Sequence, residues 1–149
     1  MINQNTIISN ISKVTIIGTS IVFATNIIFL IIGYIFTKGK NQPETFGLIT
    51  IILGIIALTE IGCGLFIKRK LLEPLFKAGK TPDENVLRQI SLKTTIVLSA
   101  ICSAIPLYGL VAVIIESNMN AMVGFAIASL AGFMLLRLRR RDFDRLNLS

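Results

Sequence analysis

Glu60 lies inside an apolar stretch running from Phe46 to Ile67, and Ser99 and Ser103 lie at a matching depth on a second apolar segment. A carboxylate in hydrocarbon costs roughly 2.5–3.5 kcal/mol on insertion scales unless it is protonated, paired or turned towards a cavity. Ser99 and Ser103 are four residues apart, so they share one helix face, with Thr95 one turn below. Such a carboxyl can lock helices together through hydrogen bonds, or hold a proton or Na⁺ with the hydroxyls completing the shell. Glu60, Ser99 and Ser103 are therefore the candidate ion-binding set. The chain has no His, and its two Cys lie in apolar sequence. It has no Gly-rich phosphate loop and no carboxylate pair facing a groove. Neither a nucleophile–base pair nor a metal or haem site can be assembled, so we expect no catalysis and no cofactor.

Helices that cross a bilayer must position these groups. The chain has 149 residues, 53% of them hydrophobic, and a mean hydropathy of +0.76. A hydrocarbon core of about 30 Å needs about 20 helical residues. Four long gaps between charges predict transmembrane helices at about 14–37, 46–67, 94–115 and 121–138. The expected fold is an all-α membrane protein, a single four-helix domain over 1–149. It carries a charged loop at 68–93 and a basic tail at 137–149. Residues 1–12 hold no Lys or Arg, and no small-residue cleavage site follows the first apolar run, so that helix is expected to be retained.

The net charge is +7. Lys68, Arg69, Lys70, Lys77, Lys80, Arg88 and Lys93 lie between spans two and three, and Arg137, Arg139, Arg140, Arg141 and Arg145 follow span four. This positive-inside distribution puts both termini and the middle loop in the cytoplasm, in a prokaryotic inner membrane, rather than on nucleic acid. Arg137, Arg139, Arg140 and Arg141 are expected to contact lipid headgroups.

The outer links, Lys38–Pro43 and Ser117–Asn120, are short and predict two tight antiparallel hairpins. Leu71–Phe76 is expected to lie along the headgroups. Thr81, Pro82 and Glu84 form a capping box that starts a helix running on into the third span. Pro106 lacks an N–H and frees the carbonyl of Cys102. With Gly109 one turn on, it makes a kink and a candidate hinge. Glu116 is expected to be solvated at the outer end, and Cys63 and Cys102 to be two small buried side chains. Thr19, Ser20, Thr25 and Asn26 on the first span and Ser129 on the fourth fall near the level of Glu60, where such residues let helices approach and hydrogen-bond.

Ser103-Ala104-Ile105-Pro106-Leu107-Tyr108-Gly109-Leu110-Val111-Ala112-Val113-Ile114 resembles the carboxylate-bearing helix of the c-type proteolipid subunits of rotary (F/V-type) ATPases. That helix typically reads Glu, four mostly apolar residues, then Tyr-Gly-Leu-(Val/Ile) and an aliphatic run. Tyr108-Gly109-Leu110-Val111 match its second half. The resemblance spans one hairpin, about Phe46–Ile115, and departs from the family at the chemistry. Ser103 stands where the ion-binding carboxylate would be, and only Gly62 and Gly64 alternate where the partner helix should carry a glycine run. Glu60, on that partner helix, is the residue that could supply a relocated carboxylate. The resemblance implies a divergent four-helix relative.

The expected function is that of a non-enzymatic integral membrane protein acting by association with other membrane subunits or with itself, as an accessory or assembly subunit or a homo-oligomer. The alternatives are a proton or Na⁺ translocating, proteolipid-like protein using Glu60, and a small dimeric exporter.

Overall fold

The computed structural model describes residues 4–41, 45–77, 84–139 and Asp142. The apolar runs fold into four helices, α1 Gln4–Thr37, α2 Leu48–Lys77, α3 Glu84–Glu116 and α4 Met119–Leu136. Each is long and apolar enough to cross a membrane, and among the described residues there is no strand. The chain is an integral membrane protein, with four helices among its described residues.

α1, α2 and α3 have 34, 30 and 33 residues, well beyond what a bilayer core needs. Much of the surplus stands at the basic end of the bundle, where α1 and α3 begin and α2 and α4 end. There Leu72, Leu75, Leu87 and Leu138 form a small apolar core with Ile11 and Ile90 against it. This core overturns the expectation that Leu71–Phe76 lies along headgroups. α2 runs through Pro74 to Lys77 instead. Burying a leucine side chain is worth about 1.5–3 kcal/mol, so Leu72 and Leu75 together outweigh the one helical bond that Pro74 removes. α3 begins at Glu84 and continues unbroken through the span, as expected. Thr81 and Pro82 of the capping box lie outside the described residues.

α3 and α4 form the centre of the bundle. α1 packs against both, α2 packs against both, and among the described residues α1 and α2 do not touch. The second expected hairpin is therefore present as α3–α4, but the first is not, because α2 lies across the central pair from α1. The helix faces explain this. α1 buries Val14, Gly18, Val22, Asn26 and Gly33 in one narrow strip. Gly18 faces Phe133 and Thr95, and Gly33 faces Met122, so the strip fits the α3–α4 seam. α2 buries Thr50, Ala57, Gly64, Lys68 and Leu72, with Gly64 beneath Leu136. Each strip is wide enough for one seam only.

α3 and α4 are in close contact at Gly109. A Cβ there would stand 3.1 Å from the Met122 Cα and 3.0 Å from the Phe125 Cβ. The turn between the two helices is equally tight. Ser117 takes a left-handed φ of 54°, and Asn118 caps α4.

Candidate functional site

Glu60 sits on α2 at the seam with α3, where the Tyr108 hydroxyl donates a 2.5 Å hydrogen bond to its Oε1. Its other oxygen, Oε2, is buried and has no hydrogen-bond partner among the described residues. Neither Ser99 nor Ser103 reaches this carboxyl. Ser103 precedes Tyr108 by five residues, about 140° around the helix, and Ser99 precedes it by nine, on the opposite face. The Ser99 hydroxyl donates to the Ile96 carbonyl of its own helix at 3.0 Å. The Ser103 Oγ is buried without a partner among the described residues. Glu60 thus meets one face of α3 while Ser99 and Ser103 lie on another, and the three residues expected to form one ion-binding set are not brought together.

Tyr108 is the partner that sequence reasoning passed over. The signal was available, because a long side chain on a helix leans back towards the N-terminal turn and brings a phenol hydroxyl to the level of Glu60.

A second polar arrangement joins three helices. Asn26 of α1 donates from Nδ2 to the Val22 carbonyl at 2.8 Å and to the Ser129 Oγ of α4 at 3.1 Å. Ser129 in turn donates to the Cys102 carbonyl of α3 at 2.7 Å. This carbonyl is the one that Pro106 leaves without a helical N–H. Pro106 and Gly109, the expected hinge, are both buried in a continuous helix, with Gly109 against α4. Cys102 packs with Val22, Leu98, Phe133 and Leu136, whereas Cys63 is exposed rather than buried as expected. Cys63 lies on the outward face of α2, away from the strip that α2 buries.

The bundle ends are fastened by two charges. Glu116, expected to be solvated, instead accepts from the backbone N–H groups of Gly47 at 3.1 Å, Ile49 at 2.9 Å and Thr50 at 3.3 Å. The Thr50 hydroxyl donates to the same carboxylate at 2.5 Å. The end of α3 therefore caps the start of α2, satisfying N–H groups that have no partner inside their own helix and placing negative charge at the positive end of the dipole. Beside it, Asn118 donates to the Thr45 carbonyl at 3.2 Å and accepts from the Ala121 N–H at 3.2 Å.

At the basic end the signs reverse. The ammonium of Lys68 is 2.7 Å from the Asp142 carboxylate and donates to the Arg137 carbonyl at 3.0 Å, just beyond the C-terminus of α4. Arg139 donates from its backbone to Asp142 at 2.7 Å and from its guanidinium to the Met134 carbonyl at 3.0 Å. Arg140 and Arg141 lie outside the described residues.

Among the described residues no three His, Cys, Asp or Glu side chains are grouped as metal ligands. The polar groups inside the spans serve mainly as fasteners between helices, and the Glu60 Oε2 is the carboxylate oxygen left over. No protein-family model matches the chain, and neither a curated protein nor a solved structure gives a significant match.

Proposed function

We propose that this chain acts by association, as an accessory or assembly subunit of a larger membrane complex or as a homo-oligomer. The observation that carries the reading is how the two kinds of side chain are distributed. Asn26, Ser129, Glu116, Thr50 and Tyr108 are engaged between the helices of one bundle. The outward faces of α1 and α2 are rows of Ile, Leu and Phe. At Gly54, Gly62 and Gly124 a Cβ would meet nothing within 4 Å, so a neighbouring helix could approach closely there. Lys and Arg concentrated at the end where α1 begins and α4 ends support a cytoplasmic placement of that end, in a prokaryotic inner membrane, with Arg137 and Arg139 near anionic headgroups.

Exposed Cys63 provides the test. Bifunctional thiol reagents applied to membranes should yield an adduct with a second copy or with another membrane protein, and Cys63→Ser should remove it. A chain that stays monomeric at every reagent length would overturn the proposal.

A second reading is supported by the unpartnered Glu60 Oε2 beside Tyr108. It makes Glu60 a relocated carboxylate on a proteolipid-like hairpin that binds a proton or Na⁺. This reading requires ion flux into proteoliposomes that Glu60→Gln abolishes while the protein still folds. Flux no greater than that of empty vesicles removes it.

A further inference from the structure

We propose that the position held by the Asp142 carboxylate is a binding seat for the phosphodiester of an anionic lipid, and that Asp142 is its resident occupant. The inference goes beyond the association reading and does not depend on it. Two donors from different parts of the chain converge on one oxygen. The Lys68 ammonium of α2 is 2.7 Å from the Asp142 Oδ2, and the Arg139 backbone N–H donates to the same oxygen at 2.7 Å. A cation and a backbone N–H aimed at one point hold an oxyanion, whichever group supplies the oxygen.

Both donors are held by contacts that do not involve Asp142. Leu138 is buried with Leu72 and Leu75 of α2 and Leu87 of α3, which anchors the residue before Arg139. The Arg139 guanidinium donates to the Met134 carbonyl at 3.0 Å, and the Lys68 ammonium donates to the Arg137 carbonyl at 3.0 Å. The occupant is the more open partner. The Lys68 side chain is 9% exposed and that of Asp142 is 25% exposed, so the seat opens to the surface on the side from which Asp142 enters. The Asp142 backbone is tied back by its N–H, which donates to the Arg139 carbonyl at 2.9 Å. A competing anion therefore has to displace a side chain, not the turn that carries it.

Position selects the ligand. Lys68 is the first charge after the apolar part of α2 that begins beyond Glu60, and Arg137 is the first charge after α4, so the seat lies where bilayer phosphates lie. A buried ammonium has to keep an anion, and a phosphodiester offers what Asp142 offers, one negative charge and acceptor oxygens. Arg69, next to Lys68 in sequence, and Arg139 are both exposed and raise the local positive charge. This favours a headgroup of net negative charge over a zwitterionic one, whose own ammonium competes with Lys68.

The test counts lipids bound to the full chain by native mass spectrometry in a neutral detergent, with phosphatidylglycerol, phosphatidylcholine or inorganic phosphate as the titrant. Asp142→Asn, which leaves a neutral occupant, should raise the affinity for phosphatidylglycerol about tenfold, the gain expected of one charge-assisted hydrogen bond. Binding of phosphatidylcholine and of inorganic phosphate should not change. Lys68→Met in the Asp142→Asn background should abolish the gain, whereas Lys70→Met, which removes the same charge from an exposed side chain, should retain it. No gain in Asp142→Asn, or equal losses from the two lysine changes, overturns the proposal. An equal gain with inorganic phosphate overturns the assignment to lipid. The unaltered chain gives a second measurement that no substitution can disturb. Zero-length carbodiimide coupling of Lys68 to Asp142 should fall when vesicles of phosphatidylcholine are replaced by vesicles of phosphatidylglycerol. The same yield in both overturns the proposal.

Discussion

The Ser129 hydroxyl of α4 donates a 2.7 Å hydrogen bond to the Cys102 carbonyl, the acceptor that Pro106 strips of its own helical donor in α3. A proline that would otherwise loosen a membrane helix is thereby compensated from the neighbouring helix, and Asn26 ties the same hydroxyl to α1. Compensation of this kind is how membrane helices tolerate proline, since no water is at hand to take up the freed carbonyl.

Removing the compensating hydroxyl should expose this coupling. We predict that Ser129→Ala lowers stability by about 1–3 kcal/mol, because it strands the Cys102 carbonyl and one Asn26 proton. In a Pro106→Ala background the helical N–H returns to Cys102, and the same Ser129→Ala change should cost measurably less. Thermal unfolding in detergent across this double-mutant cycle reads the difference. Strict additivity would show that the two residues are independent.

The cap at the other end of α3 makes a second prediction. Glu116→Ala should destabilise the bundle by about 1.5–3 kcal/mol, the range for hydrogen bonds to a charged group. Glu116→Gln, which keeps one acceptor oxygen but loses the charge facing the α2 dipole, should recover part of that loss. Hydrogen exchange at Gly47, Ile49 and Thr50 reads the effect locally, and protection there should fall in both variants. Unchanged exchange would mean that the cap does not hold α2.

Much of the fold was legible in the sequence. The charge gaps locate all four spans, because a bilayer demands long uncharged runs whatever the helices pack against. The level of Asn26, Ser129 and Glu60 was also legible, since depth follows from counting residues along a helix. Direction around the axis was not. Whether Glu60 meets Ser103 or Tyr108 depends on which flank of α3 faces α2, and that is set by where Gly18, Gly64 and Gly109 allow close contact. The open first hairpin has the same origin, because connection length limits where α2 can go without choosing its side. The α2 extension through Pro74 was hidden because its reward, the Leu138 contact, comes from the far end of the chain.

At the basic end, Lys68 is 7% exposed and leans on Asp142. Asp142→Asn should therefore cost more than Lys68→Met. The first leaves a buried ammonium with neutral acceptors only, whereas the second leaves a carboxylate that retains some contact with water. We expect about 1–3 kcal/mol for Asp142→Asn, less than for a fully buried pair. Equal losses from the two substitutions would contradict the assigned burial.

Gly109 should tolerate no side chain. Gly109→Val pushes against the Met122 backbone and side chain and the Phe125 Cβ, and should cost about 1–3 kcal/mol through overpacking. Gly62→Val, at an outward position with open space, should leave the isolated bundle nearly unchanged. The comparison of unfolding midpoints in detergent separates a residue that packs the bundle from one available to a neighbour. A larger loss at Gly62 than at Gly109 would reverse the assignment.

The central claim is that the carboxyl of Glu60 is a fastener held by Tyr108 within a protein that works by association. Carbodiimide modification of Glu60 in native membranes, followed across pH with and without Na⁺, tests it most directly. The account predicts that the extent of modification is insensitive to Na⁺ and rises in Tyr108→Phe, where the carboxyl loses its hydrogen bond. Protection of Glu60 that grows with Na⁺ concentration would contradict it and make the carboxyl an ion site.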